Sequence, residues 1–383
     1  MKITSIKPTI VHPGVGKNLI FVKIETDEGV YGWGESYTQA DRDTAMVEHI
    51  KQMSRYLVGR SPFNIKHFIS VAYEDWAGKR TGMDYNCAIS GIEQAMWDIV
   101  GKVAGQPVYN LLGGVCRDKI RVYANGWSAG AKTPDDYRQK AKEAVAQGWT
   151  ALKFDPFPGP WKLYVDKKVE RIAAERVAAV RDGGGPDVDI LVEVHRRLAP
   201  MHAIRVAKMI EPYNIFWYEE PCPPENLDAI AEVRRSTTIP IVTGEALYTK
   251  SDFRRLFEKR AADIINPDIS NTGGILELKE IAAMAEPHFV IVSPHGWNST
   301  TVSLAASIQV SACIPNFLIM EFPTSLVPLG EDIAVTPFRP ENGYIELPTA
   351  PGLGMDLKEE ALVKYAYKQF PPRRIRQYTD EGP

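Results

Sequence analysis

Three carboxylates, Glu193, Glu219 and Glu245, recur at intervals of 26 residues. Each closes a short apolar run: Asp189-Ile-Leu-Val-Glu193, Ile215-Phe-Trp-Tyr-Glu219 and Ile239-Pro-Ile-Val-Thr-Gly-Glu245. Runs of this length and composition read as buried β-strands. If the strands lie parallel and adjacent, their carboxylates meet at one end of the sheet. Three converging hard oxygen ligands suit Mg²⁺, and Mn²⁺ accepts the same donor set. Side chains alternate along a strand, so Glu219 and Glu220 cannot share a face. The 26-residue spacing selects Glu219 as the ligand and leaves Glu220 as a solvated loop carboxylate.

The other expected strand ends carry ionisable groups too: Lys153-Phe-Asp155, Glu193-Val-His195, Pro267-Asp268, Pro294-His295 and Met320-Glu321. Crowded together without a cation, so many carboxylates would repel and some would protonate. A divalent metal removes that conflict.

The elements that must position these groups follow from pattern. From Arg121 onward, eight apolar runs alternate with helical segments: 122–125, 151–154, 190–193, 216–219, 240–243, 264–267, 289–292 and 317–320. Thr133 and Ser251 are the expected N-caps of two of the helices. Eight strand–helix units with non-alternating strands predict an α/β fold, a (β/α)8-type barrel with functional groups at the carboxyl ends of its strands. A doubly wound open sheet is disfavoured, because no Gly-rich phosphate loop follows any strand. Residues 1–120 read differently. A hairpin over Leu19–Glu35 turns at Asp27-Glu-Gly29, and helices are expected over Ala40–Leu57 and Asn86–Val103. This first third reads as an α+β domain. Between Pro323 and Pro351 six prolines interrupt the alternation, so 323–383 is expected to pack back on that first domain, leaving 121–322 as the barrel.

Bulk composition excludes several classes. The 383 residues carry 45 basic and 48 acidic side chains, a net charge of −3. No basic stripe points to nucleic acid. No long apolar stretch points to a membrane, and the amino terminus lacks a signal-peptide core. Four scattered cysteines without a CxxC pair fit a reducing cytoplasm.

The set Glu193, Glu219-Glu-Pro221, Gly244-Glu245, Asp268, His295 and Glu321 resembles the enolase superfamily, in its mandelate racemase-like branch. The opening hairpin and helices resemble that family's capping domain, Leu111-Leu-Gly-Gly114 with Arg117-Asp118 resembles its junction into the barrel, and the resemblance spans nearly the whole chain. Val122-Tyr-Ala-Asn-Gly-Trp127 and Ala151-Leu-Lys-Phe-Asp-Pro-Phe157 are similar to sugar-acid dehydratases acting on gluconate and galactonate, and His195 is similar to the histidine of the galactonate and mannonate dehydratases. The resemblance implies abstraction of the proton α to a carboxylate, with one divalent ion per subunit stabilising the enediolate. It also implies a small-molecule sugar acid as partner and a symmetric homo-oligomer, from dimer to octamer.

On this reading His295 is the base, with Asp268 accepting its other ring N–H. His195 shares a strand face with Glu193 and is placed to protonate a departing 3-hydroxyl. A substrate-binding or metal-binding His195 remains open. Racemases of the branch often carry Lys-x-Lys where this chain has Lys153-Phe-Asp155. The missing second lysine argues against a two-base racemase. Lys153 is available to neutralise substrate carboxylate. Asp155 is either a substrate contact or a turn former before Pro156. Glu321 either hydrogen-bonds the intermediate or supports the groups that do. Specificity is expected from Trp33–Tyr37 and Trp76–Met83, with Trp127 and Trp297 lining the pocket. The expectation is a dehydratase. An epimerase or cycloisomerase using the same intermediate, or a silent sugar-acid-binding barrel, are the alternatives.

Overall fold

The computed structural model describes residues 1–39, 41–76, 82–297, 301–371 and 376–381. Strands β1 (Ile3–Val11), β2 (Leu19–Thr26) and β3 (Tyr31–Ser36) form an antiparallel sheet in that order. The helix Met83–Ala104 lies directly on β3. Gly32 and Gly34 permit this: a Cβ on Gly34 would stand 1.8 Å from the Gly91 carbonyl oxygen. The Tyr-Gly-Trp-Gly run is therefore a backbone-to-backbone docking surface. The helix Asp43–Leu57 completes this layer, burying Met46, Ile50, Met53 and Leu57 at helical spacing.

Eight parallel strands follow: β4 (Lys119–Asn125), β5 (Ala151–Phe154), β6 (Asp189–Glu193), β7 (Trp217–Glu219), β8 (Ile241–Thr243), β9 (Ile264–Ile265), β10 (Ile291–Val292) and β11 (Met320–Pro323). Their order is β10-β9-β8-β7-β6-β5-β4-β11. A parallel bridge between Val292 and Phe317 closes the ring, with Leu318 N–H donating to Val292 O at 3.0 Å. Seven helices, from Pro134–Ala146 to Thr301–Cys313, occupy the links between successive strands. The fold is the expected α/β barrel with an α+β cap.

Four local expectations are corrected. The last strand is Met320–Pro323, three residues beyond the expected 317–320. The apolar run serves both sides in succession, with 316–318 bonding β10 and 320–323 pairing with β4. The strand over 289–292 shrinks to Ile291–Val292, because Phe289 is 94% exposed in a left-handed conformation. Ser251 is not an N-cap: the helix starts at Thr249 after Tyr248, and Asp252 accepts the Tyr248 N–H at 3.0 Å. Glu245 does not end a strand. Glu219 pairs with Val242, so Glu245 lies beyond β8 on a turn through Gly244. Thr133 does cap its helix, in a reciprocal capping box with Asp136.

Along the inner barrel wall of β4 to β7, alternation places one residue of the floor two positions before each polar group. Tyr123, Ala151, Leu191 and Trp217 form an apolar plug with Val242, Ile264 and Ile319. Asn125, Lys153, Glu193 and Glu219 follow them on the same strands. The segment after β11 first adds β12 (Tyr344–Glu346), antiparallel to β4. It then reaches the cap, where Asp356 accepts from Trp33 Nε1 at 2.9 Å and Tyr31 Oη at 2.7 Å.

Candidate metal centre and two histidine–aspartate pairs

Glu193 and Glu219 stand directly opposite each other in the β6–β7 register. Glu245 reaches the same spot from its turn, and one oxygen from each carboxylate lies within 4.8 Å of the others. The donor set is all oxygen, as a hard divalent cation requires. Glu193 Oε2 is buried and accepts no hydrogen bond. Such an atom is costly unless a cation takes it, so these residues fit the ion the sequence implied. Glu219 is held from beneath, with Oε2 accepting from Trp217 Nε1 at 2.9 Å and Oε1 from Asn266 Nδ2 at 2.9 Å. Asn266 Oδ1 also accepts the Glu245 N–H at 3.1 Å.

Lys153 supplies internal positive charge. Its Nζ lies 3.0 Å from Glu219 and from Glu321, and 3.6 Å from Glu193, with the side chain 2% exposed. Burial disfavours its charge, but Glu219 and Glu321 outweigh that and raise its pKa well above the usual value. Burial pushes the Glu193 carboxyl up despite Lys153, with Glu245 repulsion adding to the shift. Glu219 rises for the same reason, with Glu193 next in weight. Glu245 goes the other way: burial would raise it, but Arg196 and His295 hold it well below the carboxylate range.

His295 Nδ1 is 2.7 Å from Asp268 Oδ2, and both are buried. Its Nε2 lies 3.0 Å from Glu245 and 3.5 Å from Glu321. Burial lowers its pKa, but Glu245, Glu321 and Asp268 together raise it well above the ordinary value. Glu245 is the largest of the raising causes, so a cation on that carboxylate would favour the neutral base expected from the sequence. Glu321 also accepts the Gly296 N–H at 2.8 Å and a hydrogen bond from Asn125. Burial would raise its carboxyl, but Lys153 and His295 keep it lowered.

A second pair faces the cluster from the neighbouring strand ends. His195 Nδ1 is 2.9 Å from Asp155 Oδ2, and the His195 N–H donates to Glu193 Oε1 at 2.6 Å. Asp155 also closes the anticipated turn, accepting the Phe157 N–H at 2.9 Å, and it accepts from Arg197. Both Asp155 carboxylate oxygens thus have partners within the protein, and the side chain is 24% exposed. His195 and Arg196 are both left-handed, with φ of 52° and 60°. That turn aims the Arg196 guanidinium at Glu245.

Several expectations end elsewhere. Glu220 is not a ligand, but neither is it solvated. It is fully buried, accepting from Thr243 Oγ1 at 2.9 Å and the Gly244 N–H at 2.8 Å. Trp127 donates its indole N–H to Lys153 O at 2.8 Å and packs on Phe154, in the layer between strands and helices and not at the carboxylates. Trp297 is half-buried on the turn after His295. Trp33 is turned to the carboxyl-terminal segment, while Tyr37 is buried 6.5 Å from the His295 ring. Residues 77–81 of the expected specificity loop lie outside the described residues. Arg196, Arg197, Asn266 and Trp161 were not anticipated. Their roles come from a left-handed turn and from loop geometry that spacing does not encode.

Family models match twice: the mandelate racemase/muconate lactonizing enzyme N-terminal domain over residues 8–113 and the enolase C-terminal domain-like model over 136–361. The chain belongs to the mandelate racemase/muconate lactonizing enzyme family. It is accordingly an enzyme of the enolase superfamily, in a group of hydro-lyases. It is 36% identical to a D-gluconate dehydratase of Thermoproteus tenax over 90% of this chain and 69% of that one. A D-galactonate dehydratase of Ralstonia pickettii is 35% identical, covering 98% of this chain and 96% of that one. Among solved structures, a mandelate racemase/muconate lactonizing enzyme from Jannaschia sp. CCS1 superposes with a TM-score of 0.91 at 33% identity, covering 97% and 99% of the two chains. No helix among the described residues is long and apolar enough to cross a membrane.

Proposed function

We propose that this enzyme is a divalent-metal-dependent dehydratase of an aldonic acid of the gluconate or galactonate type. The observation that carries the proposal is the second histidine–aspartate pair. One pair, His295–Asp268, is enough to remove a proton, and a second, His195–Asp155, beside the first metal ligand is what elimination adds. The dehydratase names of the relatives support the same reading.

Glu193, Glu219 and Glu245 would hold Mg²⁺ or Mn²⁺, which when bound stabilises the negative charge developing on the substrate carboxylate. His295 Nε2 takes the C2 proton, while Asp268 holds the Nδ1–H and stabilises the imidazolium. His195 Nε2 gives its proton to the 3-hydroxyl as the C3–O bond breaks, so water leaves and an enol remains. The enol tautomerises to the 2-keto-3-deoxy acid. Lys153 stays protonated beside Glu219 and Glu321 and offsets their charge.

The test is a keto-acid assay of the purified protein with Mg²⁺ against a library of aldonic and aldaric acids. Turnover of at least one aldonate is expected, and no keto acid from any member overturns the reading. In D₂O, deuterium in recovered acid without loss of water would assign an epimerase instead.

A further inference from the structure

The loop between β5 and the next helix crosses the second pair. Its Trp161 ring stacks on the His195 imidazole, with centroids 5.2 Å apart and an interplanar angle of 19°. The Arg197 guanidinium lies 4.7 Å from the same indole ring and also binds Asp155. Asp155 in turn holds His195 Nδ1. The contacts thus close a circuit: histidine, tryptophan, arginine, aspartate and back. The loop itself is anchored, since Trp161 O accepts from Arg376 Nη1 at 2.6 Å and Leu163 O accepts the Ala199 N–H at 2.8 Å. Trp161 is 53% exposed, so its ring covers His195 from the solvent side of the loop.

We infer that Trp161 is a positioning residue for elimination, resting on the dehydratase reading above. A hydrogen bond from Nδ1 to Asp155 fixes one point of the imidazole but leaves the ring free to swing about that contact. Stacking removes the swing by fixing the ring plane. Together they aim Nε2 in one direction, which proton transfer to a leaving hydroxyl needs within hydrogen-bond reach. His295 needs no such device, because Asp268, Glu245, Glu321 and Tyr37 surround it. The effect is specific to one step: among the described residues the Trp161 ring packs on His195 and Arg197, so C2 proton removal by His295 does not depend on it.

The test compares wild type, Trp161→Ala and Trp161→Phe on the aldonate that wild type dehydrates, with two readouts in D₂O. One is keto-acid formation; the other is deuterium at C2 of recovered substrate. Trp161→Ala should lower kcat for dehydration about tenfold, a fraction of a general acid's full contribution, with KM little changed. The ratio of exchange to dehydration should rise, because the intermediate returns to substrate when loss of water slows. Trp161→Phe, which keeps a stacking ring, should recover most of the rate. An unchanged kcat, a change in KM alone, or equal loss of exchange and dehydration would each overturn the assignment. Failure of the underlying reading is visible separately: wild type would then dehydrate no acid before any variant is made.

Discussion

The two histidine–aspartate pairs use the same bond and differ in everything around it. Both aspartates take Nδ1, at 2.7 Å for His295 and 2.9 Å for His195, and Nε2 of His295 is turned towards Glu245 and Glu321. His295 and Asp268 are interior, with side chains 5% and 0% exposed. His195 and Asp155 stand at 34% and 24%, at the rim, under a loop. The buried pair sits among carboxylates that fix its charge and its place. The rim pair depends on a stacked ring and on an arginine shared with its aspartate. The lesson is that a common dyad can be held in two ways, by burial in a charged interior or by a surface clamp.

The largest expected effect breaks the buried side. His295→Asn should lower dehydration by about 10⁴-fold, the upper range for a general base. It should also abolish C2 deuterium exchange while divalent-ion binding persists in titration calorimetry. Exchange at the wild-type rate would remove His295 as the base and leave the comparison without its first term. Asp268→Asn comes next, at about 10³-fold, because an amide offers its neighbour the wrong tautomer. Kinetics and exchange should fall together, since both need the base.

His195→Asn tests the other side, with dehydration down about 10²-fold and exchange retained or increased. Parallel loss of exchange would mean that the two pairs act as one unit and that the division of labour drawn here is false.

This contrast also explains what the residues alone disclosed. The buried half was largely legible: Glu193 and Glu219 keep the 26-residue spacing at the ends of their strands, where β-strand parity converts sequence position directly into direction, and Asp268 and His295, three residues past β9 and β10, still meet in a parallel bridge. Glu245 was found by the same spacing for a partly wrong reason. It lies past its strand, and its carboxylate returns only because the chain turns at Gly244. Glu220 was misjudged because strand parity says where a side chain does not point, not whether Thr243 and Gly244 will bury it. The rim half was hidden for a related reason. Two successive left-handed residues, His195 and Arg196, break strand parity, and Trp161 arrives from a loop whose path no periodicity describes.

The smallest effect is expected at Asp155, and it is the most informative about the clamp. Asp155 divides its two oxygens, with Oδ1 on the Phe157 N–H and Oδ2 on His195 and Arg197. In Asp155→Asn the carbonyl oxygen can keep the turn, and the change leaves Arg197 without its anion beside His195. Orienting partners of this kind typically account for 10- to 100-fold. The partial exposure of the pair and the remaining Trp161 stack place this one near the bottom of that range, at about tenfold. The loss should appear in dehydration and spare exchange, as for His195→Asn. If Trp161 carries the share assigned to it, Asp155→Asn combined with Trp161→Ala should lose more than the product of the single losses, because each constraint alone still limits the ring. Simple multiplication of the two losses would show that stacking and hydrogen bonding act on different steps, and would leave the rim pair without a clamp.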